Sequence, residues 1–280
     1  MKDAKKTCPV CPHACRLAEN EIGKCSARAV LKGKNVSVNY CWVTALALDP
    51  IEKKPLARFF PGSSILSYGS YGCNLACSFC QNWEISLKHG DIDALPMAPD
   101  ELVRQAVVLK NWGNIGIAFT YNEPLICYDY ILDVAPLAHE QGLKLVIVTN
   151  GYVMPKIAEQ VFAQVDAANI DLKAYTQDFY DLVGAPAGLA TVKRSIEIAL
   201  AAACHVELTT LVIPGLNDSP EEMADEAAWI ASLSPDIPLH ISRFHPAYKM
   251  LDRSPTPKAT ILALESIAKE HLNYVYTGNM

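Results

Sequence analysis

No run of apolar residues in this 280-residue sequence approaches the roughly 20 that a membrane-spanning helix requires, and no membrane partner is expected. No secretory signal is expected either, because Met1-Lys2-Asp3-Ala4-Lys5-Lys6-Thr7 is charged and leads into no apolar core. Basic residues are not in excess: 24 Lys and Arg stand against 30 Asp and Glu, a net charge of −6. That balance argues against a general polyanion-binding surface and against nucleic acid as a partner. Internal repeats, low-complexity tracts and an H-E-x-x-H zinc-hydrolase word are all missing. What is present is a hydrophobic fraction of 51%, which excludes a disordered chain. The length suits one large α/β domain, or one such domain plus a small accessory. A soluble cytoplasmic protein is expected.

The 10 cysteines are clustered. Cys8, Cys11, Cys15 and Cys25 lie near the start; Cys73, Cys77 and Cys80 lie together; Cys41, Cys127 and Cys204 stand alone. In a reducing compartment clustered thiols read as metal ligands or catalytic groups rather than as a disulfide framework.

The chain divides in texture. Residues 1–62 hold half of the cysteines, short β-like pieces and a turn-rich stretch from Asp49-Pro50 to Pro61-Gly62. They read as a cysteine-rich, metal-stapled lobe, since so short a segment buries little core unaided. Residues 63–280 alternate. Apolar runs at 65–68, 115–119, 143–149, 167–171, 206–212 and 239–243 read as buried strands, with helical patterns near 100–112, 128–141, 155–164, 190–203 and 220–233. Asp100 is expected to cap the first of these helices, and Ser219-Pro220-Glu221-Glu222 reads as a capping box with proline at the first helical position. Thr256-Pro257 opens a last helix. The fold class is α/β, with a parallel sheet that is doubly wound or a full or partial barrel. In either case ligands sit at the carboxyl ends of the strands.

Gly72-Cys73-Asn74-Leu75-Ala76-Cys77-Ser78-Phe79-Cys80 follows the first of these strands with C-x3-C-x2-C spacing. Three thiolates on one short loop can hold three irons of a [4Fe–4S] cluster and leave the fourth open to a small molecule. Structural zinc fits poorly, because it wants four ligands and no fourth is near. Packing cysteines are the bland alternative. The four earlier cysteines, spaced C-x2-C-x3-C-x9-C, suit either structural zinc or a second iron–sulfur cluster, with Cys41 as a substitute ligand and His13 as a neighbour. Cys127 and Cys204 read as small buried apolar residues. Lys53 and Lys54 read as a solvated turn.

C-x3-C-x2-C with an aromatic before the last cysteine resembles the signature of radical S-adenosylmethionine (SAM) enzymes. Cys8-Pro9-Val10-Cys11-Pro12-His13-Ala14-Cys15, Asp49-Pro50-Ile51-Glu52-Lys53-Lys54-Pro55-Leu56, Cys80-Gln81-Asn82-Trp83-Glu84-Ile85-Ser86 and Ser242-Arg243-Phe244-His245-Pro246 resemble the AmmeMemoRadiSam-system radical SAM family. That family is related to the activating enzymes of pyruvate formate-lyase and other glycyl-radical enzymes. The resemblance implies a partial (β/α)6 TIM-like barrel, a [4Fe–4S] cluster on Cys73, Cys77 and Cys80, and SAM as cofactor. It further implies reductive cleavage of SAM to methionine and a 5′-deoxyadenosyl radical, which abstracts hydrogen from a substrate. By the same resemblance Glu123 meets the SAM amine, Lys173 its carboxylate, and Asp171 the ribose or an ion. Phe79 lies near adenine, and Asn122, Asn150 and His245 join the cofactor site. Val148 stands where the activases often carry Asp, so a cation ligand is missing there. The implied partners are a flavodoxin- or ferredoxin-like electron donor and a protein substrate or Memo-like protein. No motif specifies the substrate. Activation of a glycyl-radical enzyme is the first alternative and a non-catalytic iron–sulfur or zinc protein the second.

Overall fold

A computed structural model describes residues 5–87 and 92–280; residues 1–4 of the charged start lie outside the described residues. Eight strands make one sheet: β1 (Ala45–Pro50), β2 (Ser64–Gly69), β3 (Asn114–Phe119), β4 (Lys144–Thr149), β5 (Ala167–Asp171), β6 (His205–Val212), β7 (Leu239–Arg243) and β8 (Val275–Gly278). They stand side by side in chain order, β1 antiparallel to β2 and every later neighbour parallel. Parallel neighbours need a crossover. The longer crossovers are α1 (Pro99–Val108), α2 (Tyr128–Glu140), α3 (Pro155–Phe162), α4 (Gly188–Ala201), α5 (Pro220–Leu233) and α6 (Lys258–Ala268). Helices cover one face: α1 packs on β3, α2 on β4, α4 on β6, and α6 on β7 and β8. With β1 and β8 unjoined, the sheet is an open, partial barrel.

All six expected strands are present, and two edge strands add to them. β1 has three of its six residues exposed and ends on Pro50, which suits an edge. The expected division at residue 62/63 therefore falls between two hydrogen-bonded strands of one sheet.

The helix starts differ from expectation in detail. Asp100 does not cap α1; the helix begins one residue earlier at Pro99, and Asp100 sits in the first turn, where it faces the helix dipole. Ser219 does cap α5, its Oγ accepting from Glu222 N at 3.0 Å. The reciprocal half of the box is not made, because the Glu222 carboxylate instead accepts from Tyr175 N at 2.7 Å. Ser219→Ala should lower stability by about 1 kcal/mol, read as a small drop in melting temperature.

The turn-rich stretch after β1 is not solvated throughout. Ile51, Leu56 and Phe59 are buried against Ile65, Ala118, Val146 and Ala167, on the sheet face turned away from the helices. Lys53 is exposed, but Lys54 is buried, with Nζ 2.8 Å from Asp49 Oδ2 and 4.7 Å from the centre of the Tyr121 ring. Asp49 Oδ2 also accepts from Ser67 Oγ and Tyr121 Oη. The word is thus an internal ion pair that ties β1 to β2 and to the end of β3. Further along, the buried Glu207 carboxylate accepts from Ala57 N and Arg58 N at 2.9 and 2.8 Å and contacts His205 and His240. These bonds fasten the 51–62 segment across the lower end of the barrel.

Candidate active site

The C-x3-C-x2-C loop leaves β2 through Gly72, at φ +88°, where a Cβ would lie 2.4 Å from the Cys25 carbonyl oxygen. Only glycine fits there. The loop is pinned along its length: Asn74 Nδ2 donates to Tyr152 O at 2.7 Å, Asn74 Oδ1 accepts from Asn150 Nδ2 at 2.9 Å, and Ala76 N donates to Val183 O. Cys73, Cys77 and Cys80 thereby line one cleft of about 290 Å³. Its other walls come from the carboxyl ends of β3 to β7, including Glu123, Asn150, Asp171, Lys173, Thr209 and Ser242. That is where a parallel α/β sheet builds its ligand sites.

Burial pushes the Cys73 thiol well up, reinforced by the nearby Glu123 and Cys77 charges. It takes Cys77 to about 11, with Lys173 pulling the other way, and raises Cys80 against the Asn82 amide and Lys173. Thiolates there require positive charge close by, from Lys173 and from a bound metal centre. Among the described residues no three His, Cys, Asp or Glu side chains are gathered to hold a single metal ion. Three thiols that line one cleft fit a cluster with one iron per thiol and a fourth iron left to a small molecule. Leu75 N and Asn150 Nδ2 lie 3.4 and 3.6 Å from Cys73 Sγ, the hydrogen-bond setting that tunes such a centre.

Glu123 is 2% exposed. Its Oε1 accepts from Leu125 N and Thr149 Oγ1 at 2.9 and 2.6 Å, and its Oε2 from Asn150 N at 2.8 Å. Burial lifts its pKa to about 7, although these three donors favour the anion. Asp171 and Lys173 pair at 2.9 Å on the cleft wall. Burial works against the Lys173 charge, but Asp171 and Cys77 outweigh it and raise its pKa. Phe79 lines the cleft and packs against Phe179.

Asn122 and His245 also have partners within the protein. Asn122 reaches the cleft, but its amide is committed to Ser70 N, Tyr71 O and Gly72 O, so it braces the β2 and β3 loops. His245 does not line the cleft; its Nε2 lies 3.2 Å from Asn279 O, and Ser242 and Asn279 take that wall. Val148 is on the wall as expected. Residue-by-residue reading passed over Asn74, Thr149 and Tyr121. Asn74 sits inside the cysteine loop and Thr149 directly precedes Asn150, which were the available signals.

The four earlier cysteines also come together: Cys8, Cys11, Cys15 and Cys25 line one small enclosed void. Burial raises Cys25 and takes Cys11 to about 12. Cys41 is not on that void; its carbonyl accepts from Met97 N at 2.7 Å. Cys127 and Cys204 are buried.

The Radical SAM superfamily model matches residues 67–227, from β2 through most of α5. An uncharacterized protein of Methanocaldococcus jannaschii is 38% identical over 283 residues, covering 100% of this chain and 83% of its own length. The pyruvate formate-lyase-activating enzyme of Clostridium pasteurianum is 25% identical, covering 72% of this chain and 88% of its own. In fold, a radical SAM methyltransferase from Sphaerobacter thermophilus superposes with a TM-score of 0.58 at 19% identity, over 78% of this chain and 67% of that one. A domain of a pyruvate-formate lyase-activating enzyme from Bacteroides vulgatus gives 0.51 at 17%, over 59% and 99%. With the matched span running from the cysteine loop across the strand ends that wall the cleft, the chain belongs to the Radical SAM superfamily and is an enzyme related to the activating enzymes of that group.

Proposed function

We propose that this enzyme reductively cleaves SAM at a [4Fe–4S] cluster held by Cys73, Cys77 and Cys80, and that the 5′-deoxyadenosyl radical takes a hydrogen atom from a substrate at the barrel mouth. The observation that carries the reading is the meeting of three thiols with Glu123, Asp171 and Lys173 in one cleft at the strand ends. The cluster and SAM supply the radical chemistry; the protein binds, orients and shields.

Glu123 accepts a charge-assisted hydrogen bond from the SAM amine. A carboxyl group that ionises near neutrality takes up an ammonium group without prior commitment to the anion. Asn150 and Thr149 hold it in place through their own bonds. Lys173 takes the SAM carboxylate, with Asp171 beside it for the ribose, and the Phe79 ring borders adenine. Lys173→Met should weaken SAM binding by roughly ten- to a hundredfold, the worth of one charged hydrogen bond. Equilibrium dialysis on the reconstituted protein checks this, and unchanged affinity removes Lys173 from the binding site.

The substrate is read as a protein segment. A cleft of about 290 Å³ is at the lower end of small-molecule sites, and Ile51, Leu56 and Phe59 fill the face below it. A second molecule therefore approaches from the open mouth. The relative named as a pyruvate formate-lyase-activating enzyme favours a narrower second reading, in which the target is a glycine of a partner enzyme. A one-electron donor of flavodoxin or ferredoxin type and a Memo-like protein complete the proposed partners. The four earlier cysteines hold a second metal centre in this proposal. Among the described residues no helix is long and apolar enough to cross a membrane.

The test is anaerobic. The protein is reconstituted with iron and sulfide, SAM and a strong reductant are added, and 5′-deoxyadenosine is measured. Its formation supports the proposal; a fully loaded cluster that neither binds nor cleaves SAM leaves an iron–sulfur scaffold as the better account.

A further inference from the structure

Asp49 and Lys54 are buried charges that do not line the cleft. The residue they converge on does. Tyr121 is on the cleft wall, yet its side chain reaches this pair: Oη donates to Asp49 Oδ2 at 2.7 Å, and the ring lies 4.7 Å from Lys54 Nζ. Lys54 Nζ and Ser67 Oγ each donate to the same Asp49 oxygen at 2.8 Å, so the acceptor is itself fixed. The ring also fits against Gly69, where a Cβ would lie 2.7 Å from Tyr121 Cδ2.

The backbone of Tyr121 is a second observation. Its φ is +72°, in the left-handed region. Among the described residues that line the cleft, only Asn279 shares a positive φ, and asparagine tolerates that region far better than tyrosine does. A bulky residue keeps such a conformation only where its surroundings over-determine it, and such residues gather at functional sites. Here the restraint is the anchored hydroxyl, because a hydrogen bond to a charged carboxylate is of the same order as the conformational cost.

That conformation aims the Tyr121 carbonyl. It accepts from Asn82 Nδ2 at 2.8 Å and lies 3.5 Å from Ser86 Oγ. Asn82 and Ser86 bound the single helical turn that follows Cys80, and the Ile85 carbonyl of that turn accepts from Gly72 N at the head of the cysteine loop. Burial raises the Cys80 thiol, and the Asn82 amide, Lys173 and the Ser86 hydroxyl oppose it. Rotation about φ of residue 121 would swing this carbonyl together with Asn122 and Glu123. One torsion therefore sets both the exit of the cysteine loop and the carboxyl group assigned to the SAM amine.

We infer that Tyr121 is a positioning residue for SAM cleavage, held in its left-handed conformation by Asp49 and Lys54 so that its carbonyl fixes the turn after Cys80 and its backbone fixes Glu123. The Asp49–Lys54 pair thereby acts on the cluster site through Tyr121 rather than by contact. This role rests on the SAM-cleavage reading proposed above.

The experiment compares Tyr121→Phe, Tyr121→Gly and Tyr121→Ala with the wild type, each as the full chain reconstituted anaerobically. Iron content, the EPR spectrum of the reduced cluster without SAM, and 5′-deoxyadenosine formed per iron at saturating SAM are measured. Tyr121→Phe keeps the ring and loses the anchor. It should hold as much iron as the wild type and show a shifted EPR spectrum, because the setting of the Cys80 sulfur has moved. Its rate should fall roughly ten- to a hundredfold, the scale set by a displacement of about 1 Å in a reacting geometry. Glycine adopts a positive φ freely and alanine does not, so Tyr121→Gly should exceed Tyr121→Ala in rate per iron although both have lost the ring. Packing by the ring alone would leave glycine no better than alanine, and that result overturns the inference. So does a Tyr121→Phe protein with the wild-type spectrum and rate, even if its melting temperature is lower. Wild-type protein that carries the cluster but forms no 5′-deoxyadenosine overturns the SAM-cleavage reading instead, and the inference falls with it.

Discussion

The Cys73/Cys77/Cys80→Ala variant is expected to form 5′-deoxyadenosine no faster than a protein-free control, while staying folded by circular dichroism. The loss is complete because the residues act as a unit: a cluster short of its ligands does not retain a share of the activity. The fold should survive because the loop does not depend on sulfur alone. Asn74 ties it to Tyr152 and Asn150, Ala76 to Val183, and Gly72 fits against the Cys25 carbonyl. Product formation persisting in the variant at a rate near that of the wild type would show that SAM is cleaved elsewhere, and the proposed site would be wrong. An isosteric contrast sharpens the result. Lys173→Met should keep the iron and lose SAM affinity, whereas the cysteine variant should lose the iron of this site.

Much of the barrel was legible because buried parallel strands carry short apolar runs, and 115–119 and 145–148 have that form, whereas 206–212 is interrupted by Glu207 and two threonines. β1 carries a short apolar run, Ala45-Leu46-Ala47-Leu48, but lies within residues 1–62, whose cysteines and turns give them the look of a separate lobe. The Cys73 loop was legible from spacing alone. Glu123, Asp171 and Lys173 were implied by the family resemblance, with their place after a strand as support, and all three line the cleft. Position within a word was a weaker guide. His245 follows β7 as the match implies, yet its ring turns to the Asn279 carbonyl. Lys54 shows the deeper difficulty. Two adjacent lysines in a turn give no sign which of them is buried; the helical turn Ile51–Lys53 carries Lys54 back to Asp49.

A comparable buried anion sets the largest expected effect on stability. Removing the carboxylate in Glu207→Leu strands the amides of Ala57 and Arg58 and unpairs His205 and His240. Breaking a buried, hydrogen-bonded charge by deleting one partner costs about 3–5 kcal/mol, a fall in melting temperature on the order of 10 °C for a chain of this size. The effect carries a pH signature. Burial alone would raise the Glu207 pKa, but His205, His240 and the two amides outweigh it and hold the group at about 2, against 4.5 ordinarily. A carboxylate depressed in the folded state stabilises fully above the unfolded value and loses that stabilisation as pH falls through the folded one. At about 1.4 kcal/mol per pH unit of difference, the ionised form contributes at most about 3 kcal/mol at neutrality. More than half of that should be gone by pH 3. Denaturant titrations of wild type and Glu207→Leu at pH 7 and pH 3 should therefore converge toward acid. A gap that stays constant would mean the cost is one of packing rather than charge. The cleft should feel the change as well, because Glu207 stands two residues before Thr209 on β6, and Thr209 lines the wall that faces the cysteines. A loosened 51–62 segment removes the floor beneath that wall, so SAM should bind more weakly in Glu207→Leu although no contact to it has been cut.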